Sequence, residues 1–322
     1  MKTGARKDYI PQLEEFLSLK PADKPFFLQL CSNDPHRPLD GDAIEKPHDP
    51  AALTLPGHYP DTKLVREDFA RYYDEIARLD GDIGAVMAVL DRRGLKESTI
   101  VVFMGDNGCS QLRGKGTLNE FGIHIPLIVS WPGVAAAGGA RDELVSQEDI
   151  APTLLEAAGI APPESMTGKS FCPIMMGKPF TAREYVFAER GAHGSALPTN
   201  SAVFDLGRVV VGRRHKLIYN ALWQLPYHPV DFSGSAFWKE IVAMGAAGKL
   251  APELAKIYGS PARPMFELYD IEKDPFELNN LSGKAETTDV EHTLKRALSE
   301  WMILEHDFLP LPLTQTKAKV SR

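Results

Sequence analysis

A long amphipathic segment between two short apolar runs is the feature that most restricts the fold of this chain. Over residues 65–93, apolar side chains recur at spacings of three and four, which predicts a long helix with one buried face. The runs before and after it, residues 26–31 and 98–104, are bounded by turn residues and predict buried strands. A strand, a helix and a second strand in this order predict a βαβ unit within a parallel sheet.

The pattern changes in the second half of the chain. A further strand is predicted over residues 126–131, and an amphipathic stretch over 288–304 predicts a terminal helix. Short strands without long helices between them are predicted at 184–188, 208–211, 215–219 and 265–269. We therefore expect an α/β fold with a mostly parallel sheet flanked by helices over residues 1–180. A smaller domain, residues 181–322, is expected to hold an antiparallel sheet and the terminal helix.

Charge and hydropathy exclude several classes of partner. The 322 residues include 36 Lys and Arg against 43 Asp and Glu, a formal net charge of −7, and no basic block stands out. Nucleic acid is therefore not expected as a partner. No apolar run approaches the ~18 residues of a membrane span, so none is predicted. The basic first residues lead into no apolar segment, so no signal peptide is predicted and the compartment stays open.

Polar residues follow the predicted strand at 98–104. In open α/β sheets, ligands bind beyond the carboxyl ends of the strands. Asp106 and Asn107 stand at such an end and offer carboxylate and amide oxygens, hard donors suited to calcium and, less well, to magnesium. The sequence Gly-Asp-Asn-Gly is equally typical of a simple turn.

Two further residues have side chains suited to anion chemistry. His36, held between two prolines after the first apolar run, is a candidate proton donor or oxyanion contact. Lys115, in the glycine-containing segment 113–117, is a candidate anion ligand, although this segment lacks the spacing of a phosphate-binding loop. Both residue types are also common in solvated loops.

Taken together, these segments closely resemble the sulfatase family. The matching stretches, in the order that the family has them, are residues 25–38, 105–108, 114–122, 126–129, 149–155 and 268–281. The resemblance implies an alkaline-phosphatase-like α/β domain followed by a small C-terminal sheet domain. It also implies a hydrolase that removes sulfate from a sulfated glycan.

The resemblance also implies roles for the candidate residues. Asp106 and Asn107 correspond to half of a calcium site. His36 corresponds to a histidine near the leaving-group oxygen, and Lys115 to a lysine that contacts the sulfate. A metal and two cationic groups are suited to a sulfate ester, because charge shifts toward the leaving atom in the transition state.

A looser resemblance, to the heparan N-sulfatases, concerns the substrate. It rests on residues 34–37, 214–220, 226–232 and 265–270. It makes N-sulfoglucosamine a candidate substrate and implies that His193 reaches the sugar, although a histidine in a solvated loop fits that segment equally well. An acidic protein that binds a polyanion also needs a basic cleft, which we expect Arg37, Arg113 and Lys115 to line.

The sequence departs from the family at the nucleophile. Sulfatases use a formylglycine made from Cys or Ser in a Cys/Ser-x-Pro-x-Arg motif, and this motif is absent here, as are the paired-Asp and Gly-Lys-x-His motifs. We expect Cys31 and Cys172 to be small buried apolar residues and Cys109 to be a loop thiol. We therefore expect the chain to be the C-terminal portion of a sulfatase, inactive as given. In the family the compartment is periplasmic, extracellular or lysosomal, and a signal peptide would lie upstream.

Two other classes of function are compatible with the same residues. A phosphoester or phosphonate hydrolase of the same fold would use the same metal and cations, because both kinds of substrate carry tetrahedral oxyanions. A non-catalytic remnant would bind a sulfated glycan without turning it over. The sequence leaves the oligomeric state open.

Overall fold

The computed structural model describes residues 9–40, 44–192 and 204–307. Its helices are α1 (Tyr9–Leu19), α2 (Lys63–Arg92), α3 (Glu120–Ile123), α4 (Ile150–Ala157), α5 (Cys172–Met175), α6 (Ala236–Ala246), α7 (Pro252–Tyr258) and α8 (Thr288–Leu304). Its strands are β1 (Val101–Met104), β2 (Leu127–Ser130), β3 (Val186–Ala192), β4 (Phe204–Val211), β5 (His215–Asn220) and β6 (Phe266–Asp270). In these residues no helix is long and apolar enough to cross a membrane.

The predicted long helix is confirmed as α2. It begins after Thr62, whose side chain accepts a hydrogen bond from the Val65 backbone N–H, so that one otherwise unpaired donor of the first turn is satisfied. The helix ends at Arg92, and Gly94 follows with a φ of 66°, a conformation that glycine adopts without steric cost. One face of α2 is buried, including Phe69.

The strand predicted over residues 26–31 is not formed. This segment has no backbone hydrogen bond to the rest of the described chain, and Phe27 is 76% exposed. An extended segment becomes a strand only when a neighbouring strand pairs with it, and periodicity alone does not reveal that neighbour. The expectation that Cys31 is buried was wrong for the same reason, because Cys31 is exposed.

The strand after α2 does form, but its pairing differs from the parallel pairing predicted. β1 pairs with β2 in an antiparallel register that places Val101 opposite Ser130 and Met104 opposite Leu127. Among the described residues these are the only strands of that sheet. The polar segment after Met104 therefore lies at the end of β1 where β2 begins.

The predicted C-terminal sheet and terminal helix are confirmed. β3, β4, β5 and β6 pair in this order, and every pairing is antiparallel. Leu294 and Leu298 of α8 pack against Val210, Leu217 and Leu268 of the sheet. Burial of these aliphatic side chains holds the helix on one face of the sheet.

The largest apolar core joins the two halves of the sequence. Val65 and Phe69 of α2 pack in one cluster with Phe237, Trp238 and Ile241 of α6. The predicted boundary between residues 180 and 181 stays a prediction. The shared core fixes the segment between β5 and α6 against the helix that supports the candidate site.

Candidate functional site

Three side chains from distant parts of the sequence meet at one point. The Lys115 Nζ atom lies 2.9 Å from His36 Nε2 and 3.0 Å from Asp231 Oδ2. The same Asp231 oxygen lies 4.0 Å from His36 Nε2. His36 is about half exposed, whereas the side chains of Lys115 and Asp231 are mostly buried. The two residues predicted to be catalytic are therefore in direct contact, beside a carboxylate that the sequence analysis did not identify.

The hydrogen-bond partners of His36 define its tautomer. Its Nδ1 atom lies 2.6 Å from the Arg37 carbonyl oxygen, which can only accept, so Nδ1 carries a hydrogen. With Lys115 as an ammonium group, Nε2 must then be the acceptor of the Lys115 hydrogen bond. In this form His36 has no proton at Nε2 to donate. It has to gain one before it can protonate a leaving group.

Arg37 fixes the position of His36. Its guanidinium donates to both carboxylate oxygens of Asp68 on α2, at 2.8 and 2.5 Å, and to the Ser110 carbonyl oxygen at 2.9 Å. It also lies 5.0 and 5.3 Å from the ring centroids of Phe232 and Phe237. These contacts turn the charged group of Arg37 into the protein. There it anchors the loop that carries His36, residues 32–40, which we call the His36 loop. Its predicted role in substrate binding stays a prediction.

A second arginine holds the same loop from the other side. Arg78 of α2 donates to both carboxylate oxygens of Asp34, each at 2.7 Å, and to Asp40 at 2.6 Å. Paired, planar contacts of this kind fix orientation as well as distance. The His36 loop is therefore held to α2 at two points.

The conformation of the loop that carries Lys115, residues 113–117 (the Lys115 loop), depends on glycine. Gly116 has a φ of 80°, and a Cβ atom there would lie 2.4 Å from Arg190 Nη1. A Cβ on Gly114 would lie 2.0 Å from the Cys109 carbonyl oxygen.

Arg113, expected to line a basic cleft, is instead buried and donates to the Phe276 and Glu277 carbonyl oxygens. The expectation for Arg113 was wrong because backbone carbonyls inside the protein accept its hydrogen bonds.

A buried charge network lies directly after the Lys115 loop. Lys216 of β5 is fully buried, with its Nζ atom 2.8 Å from Glu120 and 2.6 Å from Glu277. Burial opposes the ionisation of Glu120, but contacts with His124 and Lys216 outweigh it and lower the pKa of Glu120 to about 2. This network ties α3, which follows the loop, to the C-terminal sheet.

The predicted metal ligands lie at the end of β1. Asp106 and Asn107 are both exposed, and the Asn107 side-chain amide donates to Asp106 Oδ1 at 3.1 Å. Their oxygens have the hard character that calcium prefers, but they are only part of the roughly 6–8 oxygens that calcium takes. Within the described ranges, no three His, Cys, Asp or Glu side chains are grouped to hold a metal. The pair thus fits calcium chemically without forming a complete site.

One open groove connects these candidates. His36, Lys115, Asp106 and Asn107 all line a groove of about 2160 Å³, whose walls also include the apolar residues of segment 26–31, α2 and β1. His193 lies outside the described residues, so its predicted contact with the sugar is untested. The groove gives an anionic ligand access to both predicted parts of the site.

Cys109, whose carbonyl oxygen accepts a hydrogen bond from the Lys115 backbone N–H, is a poor nucleophile. Burial raises the pKa of the Cys109 thiol to about 12, so very little thiolate is present near neutral pH. Cys172 is buried, as expected, and burial raises its pKa as well.

Asp231 is the residue that the sequence analysis missed. It lies in the segment 226–232, which carries part of the looser resemblance but to which no catalytic role was assigned, and it meets Lys115 only because the chain folds back on itself. A single aspartate next to an apolar residue gives no local signal of such a contact.

Comparison with known proteins places the chain among the sulfatases. Residues 2–160 match the family model described as Sulfatase. An ulvan-active sulfatase from Formosa agariphila is 32% identical over 262 residues, which cover 81% of this chain and 42% of that protein. Human N-sulphoglucosamine sulphohydrolase is 28% identical over 319 residues, covering 88% of this chain and 62% of that protein. The chain spans about half the length of the curated relatives that it matches.

Solved structures agree on the fold. A sulfatase structure from work on glycosaminoglycan metabolism by Bacteroides thetaiotaomicron has a TM-score of 0.67 at 19% identity, covering 94% of this chain and 58% of that one. A structure in complex with D-glucosamine-2-N,6-O-disulfate has a TM-score of 0.54 at 22% identity, covering 76% and 42%. Phosphonate monoester hydrolase of Agrobacterium radiobacter has a TM-score of 0.53 at 22% identity, covering 75% and 43%. At these identities the likeness concerns the fold alone, which is alkaline-phosphatase-like, as predicted. The sequence matches and the fold together identify this chain as a member of the sulfatase family.

Proposed function

We propose that this chain forms the sulfate-binding and leaving-group side of a sulfatase site that acts on a sulfated glycan. The contact between Lys115 and His36, 2.9 Å apart in an open groove, carries the proposal. It joins a cation suited to a sulfate oxygen with an imidazole suited to a leaving atom.

The chemistry divides between the two residues. The Lys115 ammonium binds a sulfate oxygen and stabilises the negative charge of the group during transfer. His36, once protonated at Nε2, donates that proton to the departing oxygen or nitrogen of the sugar. Calcium bound by Asp106 and Asn107 would further neutralise the sulfate oxygens. Arg37 and Asp68 keep the imidazole at a fixed distance from Lys115.

Turnover also needs a nucleophile, which we infer does not come from the residues present here. The Cys/Ser-x-Pro-x-Arg motif is absent from the sequence, and the partly buried Cys109 thiol, with a pKa of about 12, is no substitute. This chain should therefore bind its anionic ligand without turnover. Hydrolysis of 4-nitrocatechol sulfate by the purified chain, above the buffer rate, would contradict this inference.

The substrate class is proposed from the relatives. The matched proteins include an ulvan-active sulfatase and an N-sulphoglucosamine sulphohydrolase, and one structural neighbour holds a disulfated glucosamine. N-sulfoglucosamine is therefore our first choice of ligand. The likeness to phosphonate monoester hydrolase keeps phosphonate as the second candidate.

Isothermal titration of the purified chain tests the proposal. Glucosamine N-sulfate should bind to the wild-type chain, and Lys115→Met should weaken binding at least tenfold. Lys63→Met is the matched control, because the Lys63 side chain is 88% exposed on α2 and its Nζ atom lies 3.7 Å from Glu67. Equal affinities for the Lys115 variant and the wild type would overturn the proposal. Tighter binding of methylphosphonate than of the sulfated sugar would favour the second candidate.

A further inference from the structure

We propose that the apolar part of the groove is a docking surface for a β-strand that is not part of residues 1–322, inserted between segment 26–31 and β1. The occupant is an apolar strand from the part of a sulfatase fold that the relatives have outside their matched regions. The inference goes beyond the proposed function, because it concerns the apolar walls of the groove and not the anion bound at Lys115.

Two walls of the groove present backbone edges to it. Every residue of segment 26–31 and of β1 lines the groove, whereas the residues of β2 do not. Successive side chains of an extended segment point to opposite faces, so a segment that lines a groove with each of its residues presents its edge there. β1 pairs with β2 along its other edge, and segment 26–31 has no backbone hydrogen bond to the rest of the described chain. Unpaired edges of this kind are templates for an added strand.

Segment 26–31 already has the side-chain pattern of a strand. Phe26 and Leu28 pack, together with Val101 of β1, against one apolar cluster formed by α1 and α2. Phe27, which lies between Phe26 and Leu28, is 76% exposed. Segment 26–31 and β1 therefore lie on the same layer of helices, and both line the groove. A strand placed between them would pair with both edges and pack its own side chains beside Phe27.

The proposal accounts for the strand that the sequence predicts at 26–31 and the structure does not form. Segment 26–31, α2 and β1 follow one another as a strand, a helix and a strand, an order typical of parallel strands in one sheet. An inserted strand would supply the neighbour that segment 26–31 needs and would complete this unit. Local sequence signals and the global fold normally agree, so a disagreement of this kind points to a functional surface.

The size of the groove and the length of the relatives favour a polypeptide as the occupant. The groove volume of about 2160 Å³ exceeds the roughly 300–1,000 Å³ of pockets for small molecules. The chain covers 42% of the ulvan-active sulfatase, and 58% of the Bacteroides thetaiotaomicron sulfatase structure that covers 94% of this chain. Both proteins therefore hold further polypeptide that this chain does not match.

The walls of the groove define the chemistry of the inserted strand. Ile76 and Ile83 of α2 and Leu154 of α4 also line the groove, so helices contribute apolar side chains to it from two parts of the sequence. A strand covered by helices on both faces is a nearly continuous apolar run, whereas a strand with one face in water alternates apolar and polar residues. We therefore expect the inserted strand to be a short run rich in Val, Ile and Leu.

Co-expression tests the proposal. The tagged chain is produced together with the regions of the ulvan-active sulfatase that lie outside its 262 matched residues. The two should co-purify in equimolar amounts. Phe27→Asp places a carboxylate beside the apolar side chains of the inserted strand, so the amount that co-purifies should fall about tenfold or more.

Ile128→Asp is the matched control. Ile128 is a large apolar residue of β2, 63% exposed, and it lies outside the groove. This variant should co-purify like the wild type. Circular dichroism of each variant alone checks its fold, and Leu30→Asp replaces Phe27→Asp if the latter unfolds. Failure of the wild type to co-purify, or equal amounts with Phe27→Asp, would overturn the proposal.

Hydrogen exchange locates the contact. The backbone amides of residues 26–31 exchange freely in the chain alone if they lack hydrogen bonds, and in the complex their exchange should slow about tenfold or more. Amides on the free edge of β1 should slow with them, while those between β4 and β5 should not change. Co-purification without protection of residues 26–31 would place the contact elsewhere and overturn the proposal.

Sedimentation velocity of the chain alone tests the other occupant, a second copy. The chain should be monomeric. A dimer that Phe27→Asp dissociates would identify a second copy as the occupant and overturn the proposal in favour of self-association. None of these readouts uses glucosamine N-sulfate, so titration of Lys115→Met decides the proposed function separately.

Discussion

Lys216, fully buried on β5, lies 2.6 Å from Glu277 and also contacts Glu120, the first residue of α3. The contact between Lys216 and Glu120 joins the C-terminal sheet to the segment that immediately follows the Lys115 loop. The loop begins at the buried Arg113, whose guanidinium lies 3.6 Å from Glu277, and Glu277 also accepts a hydrogen bond from the Glu120 backbone N–H at 3.0 Å. The Glu277 carboxylate therefore contacts residues at both ends of the loop. The position of the predicted anion ligand therefore depends on contacts with the C-terminal sheet.

Lys216→Met should destabilise the chain strongly. Removing the cation takes from the buried Glu277 and the partly buried Glu120 the lysine that they share, and breaking a buried pair in this way typically costs about 3–5 kcal/mol. The free energy of unfolding in urea measures the loss. Lys63→Met is the control, because Lys63 makes an exposed i,i+4 pair with Glu67 and should cost at most about 1 kcal/mol. Similar losses for the two variants would contradict a special role for Lys216.

Acid should weaken the same network over a defined range of pH. The pKa of Glu120 falls from an ordinary 4.5 to about 2 in the folded chain. A lowered pKa means that Glu120 stabilises the fold above pH 4.5 and loses this contribution as the pH falls toward 2. Urea unfolding at a series of pH values should therefore show a steeper loss of stability in the wild type than in Glu120→Gln. Parallel curves for both proteins would show that Glu120 does not titrate in this way.

The spacing of apolar residues in the sequence was sufficient to predict the long amphipathic helices. The apolar spacing predicted α2 and α8 nearly to the residue, since an amphipathic stripe needs only a core to pack against. Residues 26–31 show the limit of such patterns. Their apolar character predicted a strand, but a strand also needs a hydrogen-bonded neighbour, which the described structure lacks.

The candidate site was predictable only where residues fit a known motif. His36 and Lys115 were identified from their motifs, and the structure places them in contact. Asp231 lies in a stretch that resembles the heparan N-sulfatases, but the resemblance assigned it no role, and it meets them only through tertiary folding. Arg37 looked like a surface cation because nothing in its own segment reveals that Asp68, on one face of α2, accepts its hydrogen bonds.

Gly116→Ala should displace the Lys115 loop. A Cβ atom would lie 2.4 Å from Arg190 Nη1 and 2.9 Å from Val230 Cγ1, at a φ of 80° that alanine adopts poorly. Gly133→Ala is the matched control, because Gly133 has a φ of 73° but open space around it. The control should cost ~1–2 kcal/mol from backbone strain alone. Gly116→Ala should cost clearly more and also weaken glucosamine N-sulfate binding, and equal costs without loss of binding would contradict the crowding.

Calcium should stabilise the chain weakly, and Asp106 should be needed for this effect. Its carboxylate and the neighbouring Asn107 oxygen are hard donors, but two ligands bind calcium poorly, so millimolar calcium should be required. At a concentration equal to the Kd, binding adds only about 0.4 kcal/mol, which a thermal shift assay registers as a small rise in Tm. Asp106→Ala should abolish this rise, whereas Asp142→Ala, with a side chain 88% exposed, should retain it. A rise in Tm that survives in Asp106→Ala would mean that Gly-Asp-Asn-Gly is only a turn in this chain and that calcium binds elsewhere.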